Sequence, residues 1–307
     1  MRTKLTSAML LVLATAALQA EQKEIPDIGP VGEVEQLHSD LKFTEGPADD
    51  GNGNIYFTDI PADRIYMHTA DGELKVFHEG AGHCNGLMFD AKGTLFACSM
   101  DGSLISIDPK TKAITPLAKE YELKRFNAPN DLVLDKAGGI YFTDPHFRAP
   151  DPLPQKVPAV YYRSADGEVT RIATIAKAPN GVILSPDEKT LYVIPSLQSE
   201  MLAYPVLGPG KVGEERVFCK LKQPEGMENT GGDGLTVDTD GNLYITSRIG
   251  VQVWSPAGKF LGNIEFPEQP ANVTFGGKDR KTLYATCRTG FYSVPMQAQG
   301  HVFTGKE

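Results

Sequence analysis

Gly53-Asn54-Ile55-Tyr56-Phe57-Thr58 returns with small changes along the whole chain, and that return decides the fold. The later copies are Gly93-Thr94-Leu95-Phe96, Gly139-Ile140-Tyr141-Phe142-Thr143, Lys189-Thr190-Leu191-Tyr192, Gly241-Asn242-Leu243-Tyr244-Ile245-Thr246 and Lys281-Thr282-Leu283-Tyr284. Each is a turn running into an aromatic-rich strand. Between the aromatic positions 56, 96, 141, 192, 244 and 284 the spacings are 40, 45, 51, 52 and 40 residues, room for four short strands and their turns. A short apolar strand precedes most copies, as in Leu87-Met88-Phe89 and Leu132-Val133-Leu134, and hairpin signals such as Asp71-Gly72 and Asp166-Gly167 follow several. No long 3.6-residue periodicity appears after the N-terminus. The pattern predicts an all-β chain, a six-bladed β-propeller of four-stranded antiparallel blades around a central channel. A single β-sandwich does not account for six copies in register. An open ring would leave unpaired edges, so the strand around Val34 to Leu37 is expected to complete the last blade.

Eleven or twelve residues before each repeat aromatic stands an oxygen-bearing side chain: Glu45, Asn85, Asn130, Asn180, Asp233 or Asn272. The first strand of a blade lies nearest the axis, so the residue opening it sits at the channel mouth. Asn-Gly and Asp-Gly are ordinary turn pairs, and Asp71, Asp101 and Asp240 use them so; the shared register sets these six apart. Two carboxylates and several amide oxygens, without Cys or His, describe a site for a hard divalent cation. Calcium comes first, with magnesium, manganese or zinc as exchange partners. The segments Asp49 to Asn54 and Asp238-Thr239-Asp240-Gly241 look like calcium loops but lack the full spacing and closing Glu, and read as hairpin turns.

Arg2 and Lys4 precede the apolar run Ala8 to Leu18, and Ala20 is followed by Glu21: the layout of a signal peptide over residues 1–20, too short for a membrane span. Residues 21–307 then form one domain, exported to the periplasm or the medium, with no membrane partner after cleavage. Of the 30 basic residues, Arg2 and Lys4 leave with the peptide, so 28 face 39 acidic ones and the net charge is about −11. That excess argues against nucleic acid. Cys84, Cys98, Cys219 and Cys287 include no CxxC pair. Cys84 and Cys98 flank one hairpin and are near enough to meet, but buried free thiols fit better. A monomer or weak homo-oligomer is expected.

These residues resemble the SMP-30/gluconolactonase/luciferin-regenerating-enzyme family from about Leu41 to Pro295. The marks are Glu45-Gly46-Pro47, Pro129-Asn130-Asp131, Pro179-Asn180-Gly181 and Gly231-Gly232-Asp233-Gly234. The resemblance implies Glu45, Asn180 and Asp233 as ligands of a catalytic divalent cation, with Asn130 on the metal or the substrate. It implies a lactonase for a small-molecule lactone, most often a sugar-acid lactone, while some relatives of the family hydrolyse organophosphates. The expected chemistry is polarisation of the lactone carbonyl by the cation and attack by water. Asp233 is the candidate catalytic base, or, since a ligand is a poor base, the group that orients the water. Asn85 and Asn272 are expected beside the substrate. The loops after each second strand should cover the site and carry His146 and Arg248 as substrate contacts, with Ser196 and Arg288 nearby; no arginine clamp or phosphate loop is readable. The Pro-rich segment Phe147 to Pro158 exceeds what a hairpin needs and is expected to be a lid. The Tyr-Phe-Thr-Asp runs at Tyr56 and Tyr141 read as strand packing with a turn-forming Asp. The rival from another class is a calcium-stabilised propeller that binds a ligand without chemistry.

Overall fold

The computed structural model describes residues 23–305, so the expected signal peptide lies outside the described residues. Alternation of buried apolar and turn residues gives six small antiparallel sheets arranged as the blades of a propeller. Blade 1 runs Thr44–Asp49, Ile55–Asp59, Arg64–His68 and Leu74–Glu79; blade 2 runs Cys84–Phe89, Leu95–Ser99, Ser103–Ile107 and Ile114–Ala118. Blade 3 comprises Leu132–Leu134, Ile140–Asp144, Ala159–Arg163 and Val169–Thr174, and blade 5 Leu235–Val237, Leu243–Ser247, Gly250–Trp254 and Phe260–Ile264. Blade 6 has Asn272–Gly276, Thr282–Cys287 and Gly290–Pro295, and its fourth strand is Glu35–His38 from the other end of the chain, pairing Glu35 with Ser293 and Gln36 with Tyr292. The ring is closed by the strand that the sequence offered.

Blade 4 departs from the pattern. Its third strand, Glu200–Gly208, is long and carries an extra hairpin with Lys211–Val212 before Arg216–Lys220 completes the sheet. This hairpin accounts for part of the wide repeat spacing there. Aromatic residues fill the space between strands and blades: the repeat residues Tyr141 and Tyr244 and the third-strand Tyr161 are fully buried, and Tyr56 meets Phe77 and Phe89 edge to face. All four cysteines are free and buried, so Cys84 and Cys98 do not pair. The two calcium-loop look-alikes are hairpins. Asp50 and Asp238 spend their carboxylates on N–H groups of their own turns, Asn52 and Asn54 in one and Asp240 and Asn242 in the other.

Beyond Pro295 the chain crosses one face of the ring as a strap. Gly300 N–H donates to Arg280 O, Thr239 N–H to Gln299 O, His301 N–H to Val237 O and Ala91 N–H to Thr304 O, linking blades 6, 5 and 2. Phe303 is buried beneath it. The strap crosses that end of the channel, where His301, Val302 and Phe303 help to line a small cavity of about 100 Å³, and the larger cavity lies at the other end.

Candidate active site

The first strands converge so tightly that their backbones touch. Gly86 N–H donates to Asn130 O at 2.7 Å, Gly181 N–H to Asp233 O at 2.9 Å and Gly234 N–H to Ala271 O at 2.8 Å, each reaching the next blade. A β-carbon on Gly46 would stand 2.0 Å from Asn85 O, and Gly46 also holds φ +47. The glycine after the site residue is therefore a requirement of close approach. Blade 3 carries Asp131 at that place instead, and its carboxylate fits because the neighbour it faces is Gly86.

The Thr of the repeat does the second part of the positioning. Thr58 Oγ1 donates to Asn85 O at 3.1 Å, Thr143 Oγ1 to Asn180 O at 2.6 Å and Thr246 Oγ1 to Ala271 O at 2.8 Å. Blades 1, 3 and 5 thus pin the channel residue of the following blade, or its neighbour. The Asp that follows ties down the chain entering its own blade. Asp59 accepts from Lys42 and Phe43 N–H, and Asp144 from Asn127 and Ala128 N–H. The Tyr-Phe-Thr-Asp run is structural, and it aims the site.

Glu45, Asn85, Asn130, Asn180 and Asp233 meet at the floor of a cavity of about 600 Å³. Asn180 Nδ2 donates to Asp233 Oδ1 at 2.5 Å and to Ser196 Oγ at 3.0 Å. Both amide protons are thereby spent, and its carbonyl oxygen remains for a ligand. Asn85 Oδ1 is buried without a partner. Burial, then the charges of Asp233 and Asp131, raises the Glu45 carboxyl well above the usual range, against the opposing pull of Gly46 N–H and the Asn272 amide. Burial also pushes Asp131 and Asp233 up to about 7, Asp233 being eased by the Arg288 guanidinium and Asn180. Three desolvated carboxyls sharing one nearby cationic group make a site short of positive charge.

A divalent cation fits that deficit. Among the described residues no group of three His, Cys, Asp or Glu is arranged to hold a metal, and the donors are of mixed kind. Glu45 and Asp233 would give carboxylate oxygens, Asn180 and Asn130 amide oxygens, and the orphaned Asn85 Oδ1 points to one acceptor more.

The expected substrate contacts divide. Asn85, Asn130 and Arg248 line the cavity, with Ser196 and Arg288. His146 does not: its side chain is exposed, and the two residues after it, Phe147 and Arg148, line the wall instead. Asn272 faces the chamber under the strap, its amide lying against Glu45 and Asp131. The segment expected as a lid is anchored. Gln155 Nε2 donates to Tyr121 O and Lys124 O, Asn127 Nδ2 to Val157 O, and Phe147 and Ala149 pack on Ile60, Met100 and Ala128. It forms a fixed wall. The sequence reading missed Asp131 as a charge in the channel, Arg148, and the apolar side formed by Phe43, Ile60, Pro61 and Met100. Only Asp131, beside Asn130, left a signal.

Known proteins bear on this arrangement. The chain is 30% identical over 293 residues to the gluconolactonase of Zymomonas mobilis, covering 87% of this chain and 82% of the relative. It is 25% identical over 245 residues to regucalcin of Sus scrofa, covering 78% and 80%. A solved gluconolactonase from Xanthomonas campestris superposes with a TM-score of 0.79 at 29% identity, over 86% of this chain and 89% of that one. The family model for the SMP-30/Gluconolactonase/LRE-like region matches residues 43–289, across all six blades and every residue of the cavity floor, and the chain belongs to that family.

Proposed function

We propose that the chain is an exported, divalent-cation-dependent lactonase that opens a small lactone, of the kind formed by sugar acids. The observation that carries this reading is the convergence of Glu45, Asn130, Asn180 and Asp233 on the floor of one cavity. The names of the relatives, gluconolactonase among them, support the substrate class.

Glu45, Asn180 and Asp233 would hold the cation, with Asn130 beside them. When bound, it supplies Lewis-acid polarisation of the lactone carbonyl. The rest is the work of the protein. Asn180 fixes one carboxylate oxygen of Asp233, leaving Oδ2 to accept a proton from the attacking water. The water oxygen adds to the carbonyl carbon, the ring C–O bond breaks, and the proton held at Asp233 passes to the departing ring oxygen. The product is the open hydroxy acid. The wall of Phe43, Ile60 and Met100 keeps bulk water from one side of the ring.

The test is pH-stat titration of purified protein against a panel of aldonolactones, beside Glu45→Gln and Asp233→Asn. Hydrolysis well above the spontaneous rate, lost in both variants while their circular dichroism is unchanged, is expected. A spontaneous rate with every lactone and every supplied cation refutes the reading and leaves a binding propeller.

A further inference from the structure

The acidic floor of the cavity lies beneath a basic lining. In a protein of net charge −9, three of the nine arginines among the described residues, Arg148, Arg248 and Arg288, line the cavity that has Glu45 and Asp233 at its floor. They come from the loops that follow the second strands of blades 3, 5 and 6. None of the three takes part in an ion pair among the described residues. By contrast, Arg64 pairs with Glu79, and Arg125 and Arg163 donate to backbone carbonyls. Arg288 lies 5.0 Å over the Phe43 ring, and its charge also acts on Asp233 at the cavity floor. Arg248 stands on the neighbouring blade, with Gln269 of the intervening connection also in the lining.

A guanidinium fork matches a carboxylate or a phosphate, and two of them on one wall make little use of a neutral polyol. The apolar part of the lining, Phe43, Ile60, Pro61, Met100, Phe147 and Leu197, offers hydroxyl groups no partner. We propose that the preferred substrate is a lactone bearing an anionic group outside the ring, a carboxylate or a phosphate, received by Arg248 and Arg288 with Arg148 at the rim. This inference rests on the lactonase reading of the same cavity and adds the charge of its substrate.

Matched pairs test it. Glucono-1,4-lactone against glucaro-1,4-lactone isolates a carboxylate, and glucono-1,5-lactone against its 6-phosphate isolates a phosphate. At least one anionic member is expected to exceed its neutral partner about tenfold in kcat/KM, mostly through KM. Arg248→Gln and Arg288→Gln should each cut that ratio several-fold, Arg248→Lys should keep part of it, and Arg171→Gln on the outer strand of blade 3 should leave it alone. Which pair responds tells carboxylate from phosphate. Ratios at or below one for both pairs, or ratios indifferent to Arg248→Gln and Arg288→Gln, overturn the inference while neutral hydrolysis leaves the lactonase reading standing. If no lactone is hydrolysed at all, calorimetric binding of the same four compounds decides: tighter anionic binding that is lost in Arg248→Gln upholds the anion site, and equal binding or none removes it.

Discussion

Thr143→Val deletes one oxygen from a fully buried side chain and changes its volume little. That oxygen donates to Asn180 O at 2.6 Å and accepts from Asp131 N–H at 3.1 Å. Valine removes both bonds inside the ring. At about 1–3 kcal/mol for each stranded group, less under 1 kcal/mol for the added methyl, the expected loss is about 2–4 kcal/mol. Thr143→Ser is the comparison, since it keeps the hydroxyl and gives up a methyl, for about 1 kcal/mol. Urea unfolding followed by tryptophan emission measures both, Trp254 being the only tryptophan of the chain. The substitution should also loosen Asn180, so lactone hydrolysis should fall further in the Val protein than in the Ser protein at equal folded fraction. Val and Ser proteins of equal stability and rate would refute the claim that blade 3 positions the ligand of blade 4.

Gly46→Ala should be far worse than Gly51→Ala, because the first needs φ +47 and puts a β-carbon 2.0 Å from a backbone oxygen, while the second, at φ +72, meets nothing within 4 Å. A loss above about 4 kcal/mol, or no soluble protein, is expected for Gly46→Ala and about 1 kcal/mol for Gly51→Ala, read as thermal midpoints. At the seam between the last blade and the first, His38 Nε2 and His68 Nδ1 lie 2.8 Å apart, and burial, then the His38 charge, lowers His68 from 6.5 to about 4. A base depressed on folding adds stability that is complete above its unfolded pKa of 6.5 and is lost as pH falls through the folded value. The part of the unfolding free energy owed to His68 should therefore drop by about 1–2 kcal/mol between pH 7 and pH 4, after discounting for partial solvent exposure, and is read as the difference between the unsubstituted protein and His68→Asn at each pH. Phe303→Ala should cost about 3 kcal/mol by emptying the space under the strap, a loss measured by urea titration.

The propeller was legible because its signal is redundant: six turn-plus-aromatic strands at near-even spacing admit one closed arrangement, and Val34 to Leu37 sat where a ring needs its last strand. The register of Glu45, Asn85, Asn130, Asn180 and Asp233 was legible for the same reason, since equal offsets in equal blades lead to one axis. What the sequence hid depends on contacts between blades. Thr143 looked like any strand threonine until the carbonyl it holds was seen to belong to the next blade. Asp131 is a channel charge because Gly86, some 45 residues away, leaves it room. His146 missed the cavity by one position, as the turn after Asp144 carries Phe147 and Arg148 to the lining instead. The segment read as a lid is fixed by Gln155 to carbonyls at Tyr121 and Lys124, partners its own composition does not announce. The strap carries no copy of the repeat, so nothing marked it before Phe303 was seen in the core.

The most direct test of the account returns a divalent cation, in steps, to chelator-treated protein while lactone hydrolysis is followed in the pH-stat. The rate should start at the spontaneous value, rise with added cation and level off near one equivalent per chain, with Glu45→Gln and Asp233→Asn showing no rise. Full hydrolysis in the presence of chelator, or no hydrolysis at any cation concentration, would contradict the assignment of Glu45, Asn180 and Asp233 to a catalytic cation.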